Sequence, residues 1–115
     1  MLHERFFSDQ PLTWILRGES EIEGELLNFW NLIKIKPQKW QEKEYGAEGE
    51  GFWVVAIFGV LVIYYNDIEE GFNISKYETF GCIQDYWWNQ SELDWVIIEL
   101  YERIKRGNDL PDVKY

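Results

Sequence analysis

Residues 52–65, Phe-Trp-Val-Val-Ala-Ile-Phe-Gly-Val-Leu-Val-Ile-Tyr-Tyr, form the longest uncharged apolar run in the chain, and its length alone limits what can be built around it. As one strand rising about 3.3 Å per residue it would extend roughly 46 Å. A domain of this size has a radius of gyration of only about 13 Å. The run must therefore fold back on itself, and Gly59 is the one residue in it that takes positive φ without steric cost. Two antiparallel strands are expected, at 52–58 and 60–66. In the first, Phe52, Val54, Ala56 and Phe58 alternate with Trp53, Val55 and Ile57, so both faces are apolar and both need cover. Such a pair belongs in the middle of a sheet.

On the N-terminal side, residues 8–11 (Ser-Asp-Gln-Pro) signal a turn or a helix start. Residues 12–16 then read as a short strand or a helical turn, closed by Gly18. Ile22, Leu26, Phe29 and Ile33 fall at helical spacing, which predicts an amphipathic helix over 22–33 with glutamates at its positive end. Residues 32–36 also alternate like a strand, and Pro37 is expected to end whatever precedes it. The polar, glycine-rich stretch 38–51 reads as a loop anchored by Trp40, without the glycine spacing of a nucleotide-binding loop.

Beyond the apolar run, residues 71–77 predict a third, more exposed strand and residues 81–88 a possible fourth. Ser91 is placed to cap a helix over 92–106, whose buried face is Leu93, Ile97, Leu100 and Ile104, widened by Val96 and Tyr101. Arg103, Lys105 and Arg106 suit its last turn and Gly107 its C-terminal cap. Residues 108–115 read as a tail. The fold class that follows is α+β: one domain over 1–115, with an antiparallel sheet of three to five strands. The C-terminal amphipathic helix packs on one face, and an N-terminal helix or its loop covers part of the other.

Composition narrows the function. With 21 acidic against 11 basic residues the net charge is −10, which repels phosphate backbones, so no nucleic-acid partner is expected. The apolar run is shorter than the roughly 20 residues a membrane helix needs, and no secretory signal opens the chain. Cys82 is the only cysteine, which is read as buried and inert, and a cytoplasmic location is expected. One histidine, His3, leaves no material for a Ser/His/Asp set or a zinc cluster, so neither cofactor nor metal is expected.

Between Tyr64 and Asp94 lie seven acids, at 67, 69, 70, 78, 85, 92 and 94, against Lys76 alone, which supplies −6 of the −10. Tyr64, Tyr65, Phe72, Tyr77, Phe80 and Tyr86 to Trp88 are interleaved with them. Acid mixed with large aromatic rings suits a surface that catches Lys- and Arg-rich protein. Asp67, Glu69 and Glu70, just past a buried strand, also admit a paired-carboxylate or Mg²⁺ enzyme, although the spacing is not that of a calcium loop. Adjacent Trp87 and Trp88 would point to opposite faces of a strand, so at most one enters the core. Asn89 and Gln90 beside them leave room for a stacked small ligand such as a sugar.

In size, acidity, aromatic richness and lack of a catalytic signature, with the weight on region 64–94, the chain resembles the small bacterial immunity proteins that neutralise nuclease toxins. The resemblance is one of class and rests on no family motif. It implies a non-enzymatic inhibitor of a basic toxin domain, with Asp67, Glu69, Glu70, Glu78 and Asp85 meeting toxin Lys and Arg, and Trp87 or Trp88 as the packing anchor. The alternatives are a small-ligand-binding or structural domain, and a carboxylate-dependent enzyme.

Overall fold

A computed structural model describes residues 9–42 and 51–107 of the chain. Along them run α1 (Asp9–Glu19), α2 (Gly24–Ile33), β1 (Lys34–Glu42), β2 (Phe52–Phe58), β3 (Leu61–Asn66), β4 (Gly71–Lys76), β5 (Cys82–Ile83) and α3 (Leu93–Arg106). The stretch 43–50, the tail 108–115 and His3 lie outside the described residues.

The apolar run folds back at Gly59. Phe58 pairs with Leu61, leaving the two-residue turn Gly59-Val60. Gly59 has φ 61°, while Val60 is not in the positive region, the pattern of a type II′ hairpin. In the sheet order β4-β3-β2-β1-β5, the pair is interior and each face carries an apolar cluster. Simple alternation along β2 does not hold, because the β2–β3 register shifts between Val54 and Ala56. This bulge puts Val55 and Ala56 in the same cluster and moves Ile57 to the side of Phe52 and Val54.

The helices α1, α2 and α3 share one cluster with Ala56, Leu61, Ile63 and Tyr65. An N-terminal helix on the opposite face is therefore not what forms. That face carries Asn66, Asn73 and Ser75, all buried, and an apolar helix stripe would leave their polar atoms unpaired. Residues 77–91, almost all irregular backbone, cover it instead. Gln41 N–H donates to the Gly81 carbonyl and Gln84 N–H to the Lys76 carbonyl, so residues 81–84 link the end of β1 to the end of β4. Within this link β5 pairs with β1 in parallel, through Gln41↔Cys82 and Glu42↔Ile83. The sheet is mixed rather than purely antiparallel, and the expected fourth strand shrinks to two residues.

Four local readings need correction. Pro37 does not end an element, since β1 runs through it and takes up residues 38–42 of the expected loop. The β1–β2 register slips between Lys34 and Gln38, where proline's missing N–H interrupts no regular ladder. Gly18 does not end α1 but lies inside it, where a Cβ would come within 2.7 Å of Leu93 Cβ. Its smallness brings α1 against α3. Ser91 makes no helix cap, because it bridges the edge of β4 at Phe72 and leaves Glu92 as the N-cap residue. Cys82 is exposed, since its strand has two residues and alternates outward there.

Strand β4 forms where expected but is not the more exposed strand, since Phe72, Asn73 and Ser75 are all buried. Other expectations hold. Helix α2 supplies the N-terminal amphipathic element, with Phe29, Trp30 and Ile33 buried, and α3 buries Leu93, Val96, Ile97 and Leu100. Gly107 caps α3 at φ 72°, its N–H donating to the Arg103 and Ile104 carbonyls. Glu19 fastens α1 to α2, accepting from Trp30 Nε1 at 2.7 Å and pairing with Lys34 Nζ at 3.4 Å. Among the described residues no helix is long and apolar enough to cross a membrane.

Candidate functional site

Strand β3 ends on Asn66, whose side chain is fully buried. Its Oδ1 accepts from the backbone N–H of Ile68 at 3.0 Å and of Glu69 at 3.2 Å, the Asx geometry that an asparagine supplies to a turn. The turn at 67–70 is tight enough that Glu70 takes φ 61°, an uncommon conformation for a residue with a Cβ. The other end of the same amide, Nδ2, donates to the Trp87 carbonyl at 2.9 Å. One side chain thus shapes the acidic turn and holds the tryptophan segment beside it.

Three further buried side chains pin the covering segment. The Tyr64 hydroxyl accepts from Trp87 N–H at 2.7 Å and donates to the Asp85 carbonyl at 3.1 Å. Ser75 Oγ accepts from Asp85 N–H at 2.8 Å, and Asn73 Nδ2 donates to the Asn89 carbonyl at 3.1 Å. A segment with few ladder bonds of its own is made regular in position by side chains from β3 and β4. At Gly71 the approach is so close that a Cβ would clash with the Asn89 carbonyl oxygen and Gln90 Cα.

The pinned backbone leaves both tryptophans outside the core, Trp87 at 45% and Trp88 at 60% exposure. Because residues 84–90 are not a strand, the inside-outside alternation expected of the pair does not apply. Their rings are 6.0 Å apart, and Trp88 is backed by Tyr86 at 6.4 Å, itself 5.8 Å from buried Phe52. This aromatic series ties an exposed ring to the core. Ile68, half exposed at the tip of the turn, adds an apolar contact among the acids.

The structure gathers part of the sequence-derived set and disperses the rest. Asp67, Glu69 and Glu70 share the Asn66 end of β3 with Trp87 and Trp88. Glu78 lies at the opposite end, since its neighbour Tyr77 donates its N–H to the Val60 carbonyl and its hydroxyl to the Gly59 carbonyl. Asp85 is engaged by the fold: its carboxylate accepts from Lys76 N–H at 3.3 Å, while its own N–H and C=O are bound as above. Sequence reasoning passed over Asn66, Asn73 and Ser75 as site determinants. The available signal was three small polar residues at strand positions, which must find partners when buried.

Electrostatics agree with a shielded, acidic setting. Burial pushes the Tyr65 hydroxyl up to about 12, with Glu70 and then Asp67 adding to the rise. Tyr64 is raised further above its ordinary value, chiefly by burial. Under the turn a small cavity of about 120 Å³ is lined by Trp14, Arg17, Tyr65, Glu70 and Glu92 among others. No group of three or more metal-ligating side chains comes together among the described residues. Comparison with known protein families, with curated proteins and with solved structures finds no match.

Proposed function

We propose that this protein is a non-enzymatic binding module of the immunity type, one that neutralises a basic, nuclease-like toxin domain in the bacterial cytoplasm. The observation that carries the reading is the double use of Asn66, which joins three carboxylates and two exposed tryptophans into one preformed end of the molecule. Asp67, Glu69 and Glu70 steer Lys- and Arg-rich surface toward it, and Trp87 and Trp88 supply the desolvated contact that sets the lifetime of the complex. Preorganisation lowers the ordering cost of association, because the tryptophan backbone is already fixed. Glu78 and Asp85 take a lesser part in this arrangement, given where they lie.

The test is the association rate of the basic protein that copurifies in equal amount from the source lysate, measured for wild type and for Glu69→Lys/Glu70→Lys at low and moderate salt. The variant is expected to fold and to associate on the order of tenfold more slowly at low salt, with the gap narrowing as salt rises. Equal rates at both salts would contradict the reading.

A further inference from the structure

Strand β4 is the open edge of the sheet, and the covering segment closes that edge only at its two ends. Tyr77 N–H donates inward to Val60, whereas Phe72 N–H donates outward to the Ser91 carbonyl at 2.9 Å and Lys76 N–H outward to Asp85. Antiparallel pairing alternates along the strand, so residues 72, 74 and 76 turn their backbone groups away from β3. The Phe72 N–H and both backbone groups of Lys76 are met by the covering segment. Those of Ile74 are not: among the described residues no hydrogen bond reaches its outward N–H or C=O. They face a cleft of about 290 Å³ between β4, the 85–91 backbone and α3.

The cleft carries charge of both signs. Asp85 and Glu99 supply carboxylates, and Lys76 and Arg103 supply cations, with Arg103 Nη2 2.9 Å from Glu99. The geometry points to a binding site for a free α-amino acid, seated against the Ile74 edge. In that zwitterion an ammonium donor and a carboxylate acceptor flank a single Cα, as the N–H and C=O of a paired residue do in an antiparallel ladder. The ammonium meets the Ile74 carbonyl with an acidic side chain nearby, and the carboxylate meets the Ile74 N–H with Arg103 nearby. A longer peptide fits less well, because Ser91 at one end and Gln84 and Asp85 at the other already occupy the edge. The size of the cleft lies at the lower bound of small-molecule sites, as one amino acid requires. Trp87 lines this cleft as well as the proposed partner surface, but no residue of the acidic turn does, and the inference does not depend on the function proposed there.

The test is a titration of isotopically labelled protein with free glycine, alanine, serine, leucine, glutamate and arginine at millimolar concentration, following backbone amide resonances. At least one is expected to give a saturable shift centred on Ile74 and Asn89. Arg103→Gln weakens that binding roughly tenfold through loss of a charge-assisted contact. Ile74→Pro abolishes the shift at Asn89; the lost N–H serves no ladder bond, and unchanged amide shifts in β2 and β3 check that the sheet survives loss of the Ile74 side chain from the core. The N-acetylated, C-amidated derivatives of the same amino acids are expected to bind more weakly. Absence of any saturable shift at Ile74 overturns the site, and equal binding of the capped derivatives overturns the zwitterion in favour of a peptide main chain. Hydrogen exchange gives an independent reading: the Ile74 amide exchanges faster than those of Asn73 and Ser75, and equal protection overturns the premise.

Discussion

Against the helices, the sheet presents Ala56, Leu61, Ile63 and Tyr65, and side chains of α2 and α3 bury them by shape alone. On the other side, Tyr64, Asn66, Asn73 and Ser75 meet an irregular backbone through hydrogen bonds between particular atoms. The first contact is broad and tolerant, since dispersion and the hydrophobic effect sum over area and no single pair is obligatory. The second is narrow and demanding, because each lost partner leaves a buried polar group unpaired. A fold can therefore keep its body on one face while using the other to fix a surface.

Substitutions on the two faces sharpen the contrast. The largest effect is expected on the helix face, where Ile97→Ala removes a fully buried side chain of α3 and costs about 2–5 kcal/mol, read as a lowered midpoint in urea. All probes should shift together. Asn66→Ala on the other face removes three hydrogen bonds and costs roughly 2–4 kcal/mol, but here tryptophan fluorescence is expected to change before far-ultraviolet circular dichroism does. Coincident transitions in that variant would mean that the covering segment is no separate unit.

Alkaline titration gives a smaller effect with a defined sign. Tyr65 ionises near 10 when unfolded and at about 12 when folded, so its contribution is complete below pH 10 and declines as pH rises through 12. Tyr64, raised in the same direction, extends the loss to higher pH. Unfolding midpoints measured at intervals above pH 9 should fall for wild type and fall less steeply for Tyr65→Phe. The smallest effect is expected for Trp88→Ala, within about 0.5 kcal/mol of wild type, because its ring is exposed and the pinning bonds use backbone. A loss comparable to that of Asn66→Ala would show that the aromatic series through Tyr86 holds the segment.

The same contrast explains what was legible in the sequence. The hairpin at Gly59 follows from the length of an apolar run, and α3 from the spacing of Leu93, Ile97 and Leu100, because a packed face imposes a period on the residues that form it. The covering segment imposes none. Its position is set by four side chains from β3 and β4 acting on backbone groups of residues 85–89, and a backbone acceptor has no signature in residue type. Ser91 illustrates the ambiguity: the sequence that suits a helix cap equally suits a bridge to Phe72, and the tertiary contact wins. Pro37 shows the converse, since a local rule against continuation yields where the ladder is already irregular. For the site, the acids and tryptophans were visible as a composition over 64–94, but their separation into the Asn66 end, the Glu78 end and the engaged Asp85 needed the chain path.

The most direct test of the account is amide hydrogen exchange at Trp87 and Glu69, compared with Ile63, in wild type and in Asn66→Ala. If buried side chains hold the acidic turn and the tryptophan segment as one surface, both amides are protected in wild type. They should then lose protection together in the variant, while Ile63 at the centre of the sheet keeps its own. Exchange of Trp87 at the rate of a free chain in wild type, or its unchanged protection in Asn66→Ala, would contradict that claim.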